Sequence, residues 1–420
     1  MLDIKFIREN LDVVKMAAKK KKSSIDLDRL VAVDDSRRDL MQRLEEKRAE
    51  QNKVSDGIPT AQDPAVRQQL IEQMQGLKAE IQKEEEALKP VMEEWQALML
   101  QVPNVPDMSV PDGDSDADNE ELKTWGEQTT FPFEAKDHIE LMQKHGMVDF
   151  ERGAKVHGFR GYYLMGDGFR LAWAIWNYAL DFFGAKGFVP VLPPTIVRKA
   201  NLYGTGHLPN DADDVYRTQD EDYLIGTSEV SVMGYYADEI LEKDQFPVKF
   251  LGFSPCYRRE AGSHSKDVKG LIRVNEFYKF EQVVLCEASH EESVRIHEEI
   301  TANAEEFMQS LGIPHRVVVN CGGDLGQGQV KKYDIEAWVP KEGKYRETHS
   351  SSYFHDFQTR RFNIRYRDAE GKIRYAHSLN NTATAAPRIL VSLMENFQQE
   401  DGTIKIPEKL VPYFGKDKIG

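Results

Sequence analysis

The sequence predicts an α+β protein in which a two-helix coiled-coil arm precedes an antiparallel sheet flanked by helices. Three observations predict it. Apolar residues recur with 3,4 spacing through the first hundred positions, composition turns abruptly acidic and proline-rich after Leu100, and the remaining strand-like segments show few β-α-β alternations.

The arm comes first. One seam runs Leu30, Val33, Arg37, Leu40, Leu44, Lys47, Gln51 and Val54, imperfect because three of its positions are polar. A second runs Met74, Leu77, Ile81, Glu84, Leu88, Val91, Trp95 and Leu98. Between them, Asp56-Gly57-Ile58-Pro59 breaks the first helix and Asp63-Pro64 starts the next, with Asp63 as N-cap and Pro64 in the first turn. Two helices joined by so short a loop pair antiparallel. Each extends roughly 40–50 Å at about 1.5 Å per residue. Pro90 removes one backbone hydrogen bond from the second helix and predicts a kink there.

After the arm, Pro103, Pro106, Pro111 and Gly113 alternate with Asp107, Asp112, Asp114, Asp116 and Asp118. This reads as an extended acidic linker. It divides the chain into an arm domain, 1–110, and a second domain, 111–420, whose regular structure begins near Trp125. Amphipathic helices are expected around Phe169 to Phe183 and Glu291 to Leu311.

Composition excludes several classes. No apolar run approaches the roughly 20 residues a membrane span requires, and Met1-Leu2-Asp3-Ile4-Lys5 lacks the apolar core of a secretory signal. Cys256, Cys286 and Cys321 are far apart, without zinc-like spacing, and suit burial in a protein of the reducing cytoplasm. The net charge of -15 speaks mildly against nucleic acid as a partner. A local stripe is enough, however, and there are two candidates: Lys19 to Lys22 with Arg29, Arg37, Arg38, Arg43, Lys47, Arg48 and Lys53; and Arg360, Arg361, Arg365, Arg367, Lys372 and Arg374. Each reads equally as a solvated face. Neither of the common glycine-rich phosphate loops occurs.

The chemistry concentrates in a long hairpin. Its first strand runs from Phe250 to Glu260, a loop follows with Gly262, Lys266, Lys269 and Gly270, and a second strand runs from Leu271 to Leu285. Two-residue alternation places Arg258 and Glu260 on one face of the first strand, and Arg273, Phe277 and Glu281 on one face of the second. Such a face is costly to bury unless it lines a ligand site. An aromatic ring among arginines suits a purine with phosphates. An exposed face with ion pairs reads equally well from the alternation.

Cys256-Tyr257-Arg258-Arg259-Glu260-Ala261-Gly262 resembles the motif 2 strand of class II aminoacyl-tRNA synthetases, and Gly270 to Glu281 is similar to its seryl branch. Gly187-Phe188-Val189-Pro190-Val191-Leu192-Pro193-Pro194 resembles motif 1, the dimer interface of that family. Leu202 to Pro209 and Leu224-Ile225-Gly226-Thr227-Ser228-Glu229 resemble the seryl-type substrate loops. The resemblance runs in order along nearly the whole chain, arm included. It implies an α+β class II catalytic domain that activates L-serine with ATP and Mg²⁺ and transfers it to serine tRNA. It further implies selenocysteine tRNA as a second acceptor, a homodimer, and a cytoplasmic location away from membranes.

The resemblance also implies roles. Arg258 contacts the α-phosphate and the serine carboxylate, Glu260 reads the adenine edge, and Phe277 and Arg388 sandwich the adenine, Arg388 also meeting phosphates. Arg258, Glu347 and Arg388 are the catalytic set. Glu347 and Ser350, in Tyr345-Arg346-Glu347-Thr348-His349-Ser350, hold Mg²⁺, which prefers oxygen ligands. Strict alternation separates those two onto opposite faces, so a bulge or strand end is expected between them. Arg259, Arg273, Val274, Thr348 and His349 complete the expected ATP contacts, His349 behind the metal rather than on it. Thr227, Ser228, Glu229, Arg258, Glu281 and Thr382 are the expected serine contacts. The sequence departs from the family pattern at Arg259, at His349, and at Ala383 to Pro387, where glycines precede the arginine in the family. Two other readings share the catalytic domain: an amino-acid:carrier-protein ligase, which the arm argues against, and an inactive tRNA-binding paralogue, which the retained site residues argue against.

Overall fold

The computed structural model describes residues 1–262, 267 and 269–420; Lys266 of the expected hairpin loop lies outside them. The chain divides into two compact units, one of residues 2–19 and 23–103, the other of 104–420 with Met1 and Lys20–Lys22.

The first unit opens with helices α1 (Ile4–Glu9) and α2 (Leu11–Lys20) and continues into α3 (Leu27–Gly57) and α4 (Pro64–Gln101). The Asp63 side chain accepts from Ala65 N, and Pro64 occupies the first turn of α4 as expected. Cross-helix ion pairs fix the direction: Arg29 with Glu94 at 2.7 Å, Arg43 with Glu84 at 3.3 Å, and Lys47 with Glu80 at 2.8 Å. Residue numbers rise on one helix as they fall on the other, so α3 and α4 are antiparallel. Two of the three polar seam positions of α3, Arg37 and Lys47, find partners on α4. The Arg37 guanidinium lies 4.7 Å from the Trp95 ring, and Lys47 reaches Glu80 and Glu84. α4 runs on through Pro90 without ending. Much of the first basic stripe is thereby spent on carboxylates. Lys20 pairs with Asp112 at 3.0 Å and Lys22 with Asp114, while Lys21 is buried, its Nζ donating to the Gly326 and Gln327 carbonyls. Burial pulls the Lys21 pKa down to about 7.

The second unit is built on an eight-stranded sheet. Its strands are β1 (Glu120–Trp125), β2 (Val189–Val191), β3 (Val248–Tyr257), β4 (Glu276–Cys286), β5 (His315–Val319), β6 (Lys331–Val339), β7 (Lys344–Tyr353) and β8 (His377–Ala385). They lie in the order β1-β5-β6-β7-β8-β4-β3-β2, antiparallel throughout except for β2 against β3. Helices α5 (Gly166–Gly184), α6 (His290–Ser310) and α7 (Ala386–Asn396) bring Leu171, Ile175, Ile296, Phe307, Ile389 and Leu393 into the core with Val284 and Leu379 of the sheet. Cys256, Cys286 and Cys321 are all buried free thiols.

Two expectations need correction. The acidic segment after the arm is not a free spacer. Asn104 N donates to Gln327 O at 2.9 Å, Asp107 N donates to Val330 O at 2.9 Å, and the Tyr353 hydroxyl donates to Asp107 at 3.0 Å. Its prolines give up donors, and the remaining amides and carboxylates bond to neighbouring loops instead. The hairpin is also shorter than its alternation suggested. β3 ends at Tyr257 and β4 starts at Glu276. Arg258 N still donates to Asn275 O at 2.9 Å, but the Asn275 side chain takes the Arg258 and Arg259 carbonyls and Glu260 turns to φ +54°. The chain thus leaves the sheet before Glu260.

Asn104 is buried, and its Nδ2 donates to Gly328 O at 3.0 Å and Phe354 O at 2.8 Å. Asn104→Ala strands both carbonyls. It is expected to lower stability by about 1–3 kcal/mol in chemical denaturation, and wild-type stability would show that water replaces the amide there.

Candidate active site

A cleft with about 890 Å³ of empty space, its open mouth included, lies over the face of β4, β7 and β8. The strands explain its floor. Glu281 pairs across with Thr382, and Lys279 and Phe277 follow on the same face of β4 by two-residue alternation. Ser352 sits opposite Asn380, and both line the cleft.

Irregularities supply the rest. Between β6 and β7 the register slips: Ile335 faces His349 but Glu336 faces Glu347, leaving Thr348 as an extra residue. This is the bulge expected between Glu347 and Ser350, and both line the cleft. A second slip between β4 and β8 falls at Ala383: Thr382 faces Glu281 and Thr384 faces Phe280. Thr382 and Ala385 consequently share the cleft side. At the start of α7, Pro387 occupies the first turn, where its missing N–H costs nothing, and Arg388 reaches the cleft.

The charges are balanced: Glu229, Lys279 and Glu281 are buried, while the Glu347 side chain is about half exposed beside Arg388. Burial pushes the Glu281 carboxyl up, against the opposing pull of Lys279, whose Nζ pairs with it. Burial also raises Glu229, whose Oε1 accepts from Gln358 Nε2 at 2.7 Å. Glu347 goes the other way. Burial works to raise it, but Arg388, Lys332 and Arg258 together hold it below the ordinary carboxylate range. Arg388 donates from NH1 to Glu347 O at 2.7 Å and lies 3.5 Å from its Oε2. The Arg258 guanidinium lies 5.4 Å from the Phe277 ring. Glu260 accepts from Arg273 NH1 at 2.6 Å.

Of the residues expected at the site, Thr227, Glu229, Arg258, Glu260, Arg273, Val274, Phe277, Glu281, Glu347, Thr348, Ser350, Thr382 and Arg388 all line this one cleft. Three do not. Arg259 is exposed and donates to Asp213 O at 3.0 Å, because its strand-end position faces away from Arg258. The Ser228 hydroxyl is buried against the Gly252 carbonyl at 3.1 Å. His349 is buried on the side of β7 away from the cleft, between the Thr348 hydroxyl and the Ala383 carbonyl, and burial lowers its pKa to about 3. It is therefore neutral and in no position to bond ATP.

His207, Lys279, Gln329, Ser352 and Asn380 also line the cleft and were not singled out from the sequence. Lys279 could have been, since it shares a strand face with Phe277 and Glu281. Gln329 comes from the loop before β6 and carries no sequence signal.

The donor set suits a metal delivered on a nucleotide. Glu347 offers an ionised carboxylate and Ser350 a hydroxyl, while among the described residues no cluster of three His, Cys, Asp or Glu could enclose an ion. Mg²⁺ commonly completes its shell with phosphate and water oxygens.

Comparison with known proteins bears on this geometry. The seryl-tRNA synthetase N-terminal domain family matches residues 1–106, and the class II tRNA synthetase core domain family (G, H, P, S and T) matches 214–397. The chain is 47% identical to the serine--tRNA ligase of Deinococcus radiodurans, covering 100% of this chain and 99% of that one. It is 42% identical to that of Thermodesulfovibrio yellowstonii over 100% of both. The seryl-tRNA synthetase from Pyrococcus horikoshii, solved with ATP, superposes with a TM-score of 0.90 at 38% identity, covering 100% of this chain and 99% of that one. With its two characteristic domains in order and relatives matching over the full length, the chain belongs to the seryl-tRNA synthetase family of class II aminoacyl-tRNA synthetases.

Proposed function

We propose that the cleft joins serine to ATP as seryl-adenylate, releasing pyrophosphate, and then passes serine to the terminal ribose of serine tRNA held by the arm. The observation that carries this reading is the convergence, in one cleft, of an aromatic ring, three arginines, an ionised carboxylate and a small polar pocket.

Adenine fits between Phe277 and Arg388, with its edge toward Glu260 and with Arg273 and Val274 along the wall. Serine fits at the polar end, where Glu281, Glu229 and Thr227 take the ammonium and Thr382 the hydroxyl. Arg258 stands between the two, able to hold both the serine carboxylate and the α-phosphate. A carboxylate oxygen of serine attacks the α-phosphorus, and the bond to the β-phosphate oxygen breaks. The protein contributes no covalent nucleophile. It positions two anions in line and offsets their charge with fixed cations, Arg258 and Arg388. Glu347 and Ser350 would hold Mg²⁺, which when bound offsets phosphate charge. In the second step a terminal tRNA hydroxyl attacks the adenylate carbonyl and AMP leaves.

The partners follow from surfaces. The paired helices α3 and α4 offer serine tRNA, and selenocysteine tRNA as a second acceptor, a long helical surface. Phe169 and Trp173 on α5, Val189 on β2 and Leu192 beyond it are exposed apolar side chains, and they suit a homodimer interface. Buried free thiols and the absence, among the described residues, of any helix long and apolar enough to cross a membrane suit a cytoplasmic enzyme.

Replacing Leu30 to Leu98 with a short linker should leave serine-dependent ATP–pyrophosphate exchange intact and abolish tRNA charging, since remote binding energy is lost. Normal charging by the truncated protein would remove the arm from the mechanism. Binding of tRNA to the intact protein should weaken as salt rises. Glu347→Ala should collapse exchange with little change in thermal midpoint, and added Mg²⁺ should restore little; full activity would place the metal elsewhere. A pocket that satisfies a hydroxyl rejects the analogue lacking it by about 10⁴–10⁵. Thr382→Val should therefore cut kcat/KM for serine far more than for alanine, narrowing the gap. An unchanged serine-to-alanine ratio would assign the hydroxyl to another residue.

A further inference from the structure

We propose that His349 is a positioning residue that clasps the two bulges of the cleft floor, and so sets the metal and serine subsites together; this rests on the reading of the cleft given above. The two bulges lie on adjacent strands, one at Thr348 on β7 and one at Ala383 on β8. Each flips the face of the residues beyond it. Without the first, Glu347 would leave the side occupied by Ser350. Without the second, Ala385 and the start of α7 would shift face relative to Thr382. A bulge leaves backbone groups out of the ladder, and buried groups of that kind need partners.

His349 contacts both, through a side-chain hydroxyl at the first bulge and a backbone carbonyl at the second. Its Nδ1 lies 2.8 Å from Thr348 Oγ1, and its Nε2 lies 3.2 Å from Ala383 O. A carbonyl only accepts, so Nε2 carries the proton. With Nε2 carrying the ring proton, Nδ1 can only accept, and it shares the single Thr348 hydroxyl proton with the Ile335 carbonyl 3.0 Å away. One ring thereby joins the extra residue of β7 to the extra residue of β8, by bonds of opposite sense from opposite edges. The ring is 1% exposed, so water cannot replace either bond. The ladder hydrogen-bonded between β7 and β8 covers only Ser351 to Tyr353 on one side and Leu379 to Asn381 on the other. Beyond Ser351 the strands no longer pair, and His349 bridges them at that point.

The clasp has two separable halves, which gives a test. His349→Leu keeps approximate volume and removes both bonds. His349→Gln places an amide donor near the position of Nε2 and unties the ring from Thr348, leaving that hydroxyl only the Ile335 carbonyl. His349→Asn keeps an acceptor near Nδ1 and falls short of Ala383. Serine affinity is measured by calorimetry in the presence of a non-hydrolysable ATP analogue, and metal affinity by Mn²⁺ paramagnetic resonance with the same analogue. The Leu variant should weaken both, on the order of the 10–100-fold typical of outer contacts to a metal site. The Gln variant should recover serine binding while metal binding stays weak, and the Asn variant should do the reverse. A Leu variant that matches wild type would overturn the clasp, as would Gln and Asn variants that lose both affinities in parallel. Should the Leu variant fail to fold, the split between Gln and Asn still decides the matter. Wild-type protein without serine-dependent exchange would instead refute the underlying function.

Discussion

A β-strand shows only every second side chain to one face, and the active site depends on breaking that rule in two places. Glu347 and Ser350 are three residues apart, so a regular strand would separate the carboxylate from the hydroxyl. The extra residue at Thr348 puts them on one side. The extra residue at Ala383 does the same for Thr382 and the approach to Arg388. The strands between and beyond are ordinary antiparallel ladder, and their role is to hold the two irregularities at a fixed spacing. The helices behind the sheet supply the apolar burial that keeps this floor flat and dense.

Charge is the second constraint. Glu229, Glu281 and Lys279 are all nearly withdrawn from water. Glu347 is held ionised by the cations around it, while Glu229 and Glu281 are pushed up by burial. In the function proposed above, a substrate ammonium adds positive charge beside those two acids, and a polyphosphate adds negative charge beside Arg258 and Arg388. The same low-dielectric setting makes each fixed cation more effective against the charge that develops on the phosphates.

The arm was legible because a seam of 3,4 spacing and a capped restart at Asp63-Pro64 are local signals that survive without tertiary context. Two of its polar seam positions read as defects from the sequence and turn out to be partners, as Arg37 over Trp95 and Lys47 with Glu80 show. The floor of the cleft was half legible. Alternation found Phe277 and Glu281 and should have found Lys279, while the need for a bulge was readable from Glu347 and Ser350. The strand ends were not: Arg258 and Glu260 reach the cleft from a turn with a left-handed residue, not from one strand face. Nor was His349, whose two partners belong to different strands. Gln329 and His207 arrive on loops whose course only the folded chain determines. The amino acid acted upon was never a matter of periodicity. It came from motif resemblance, and the full-length relatives bear it out.

In the proposed function one cleft holds serine, nucleotide and metal in a single arrangement. A crystal structure of the protein with L-serine, Mg²⁺ and a non-hydrolysable ATP analogue tests it most directly. Adenine is expected between Phe277 and Arg388, the serine hydroxyl on Thr382, the serine carboxylate and α-phosphate both on Arg258, and Mg²⁺ held by Glu347 and Ser350. Serine bound elsewhere than against Glu281 and Thr382, or a metal that leaves Glu347 and Ser350 untouched, would contradict it.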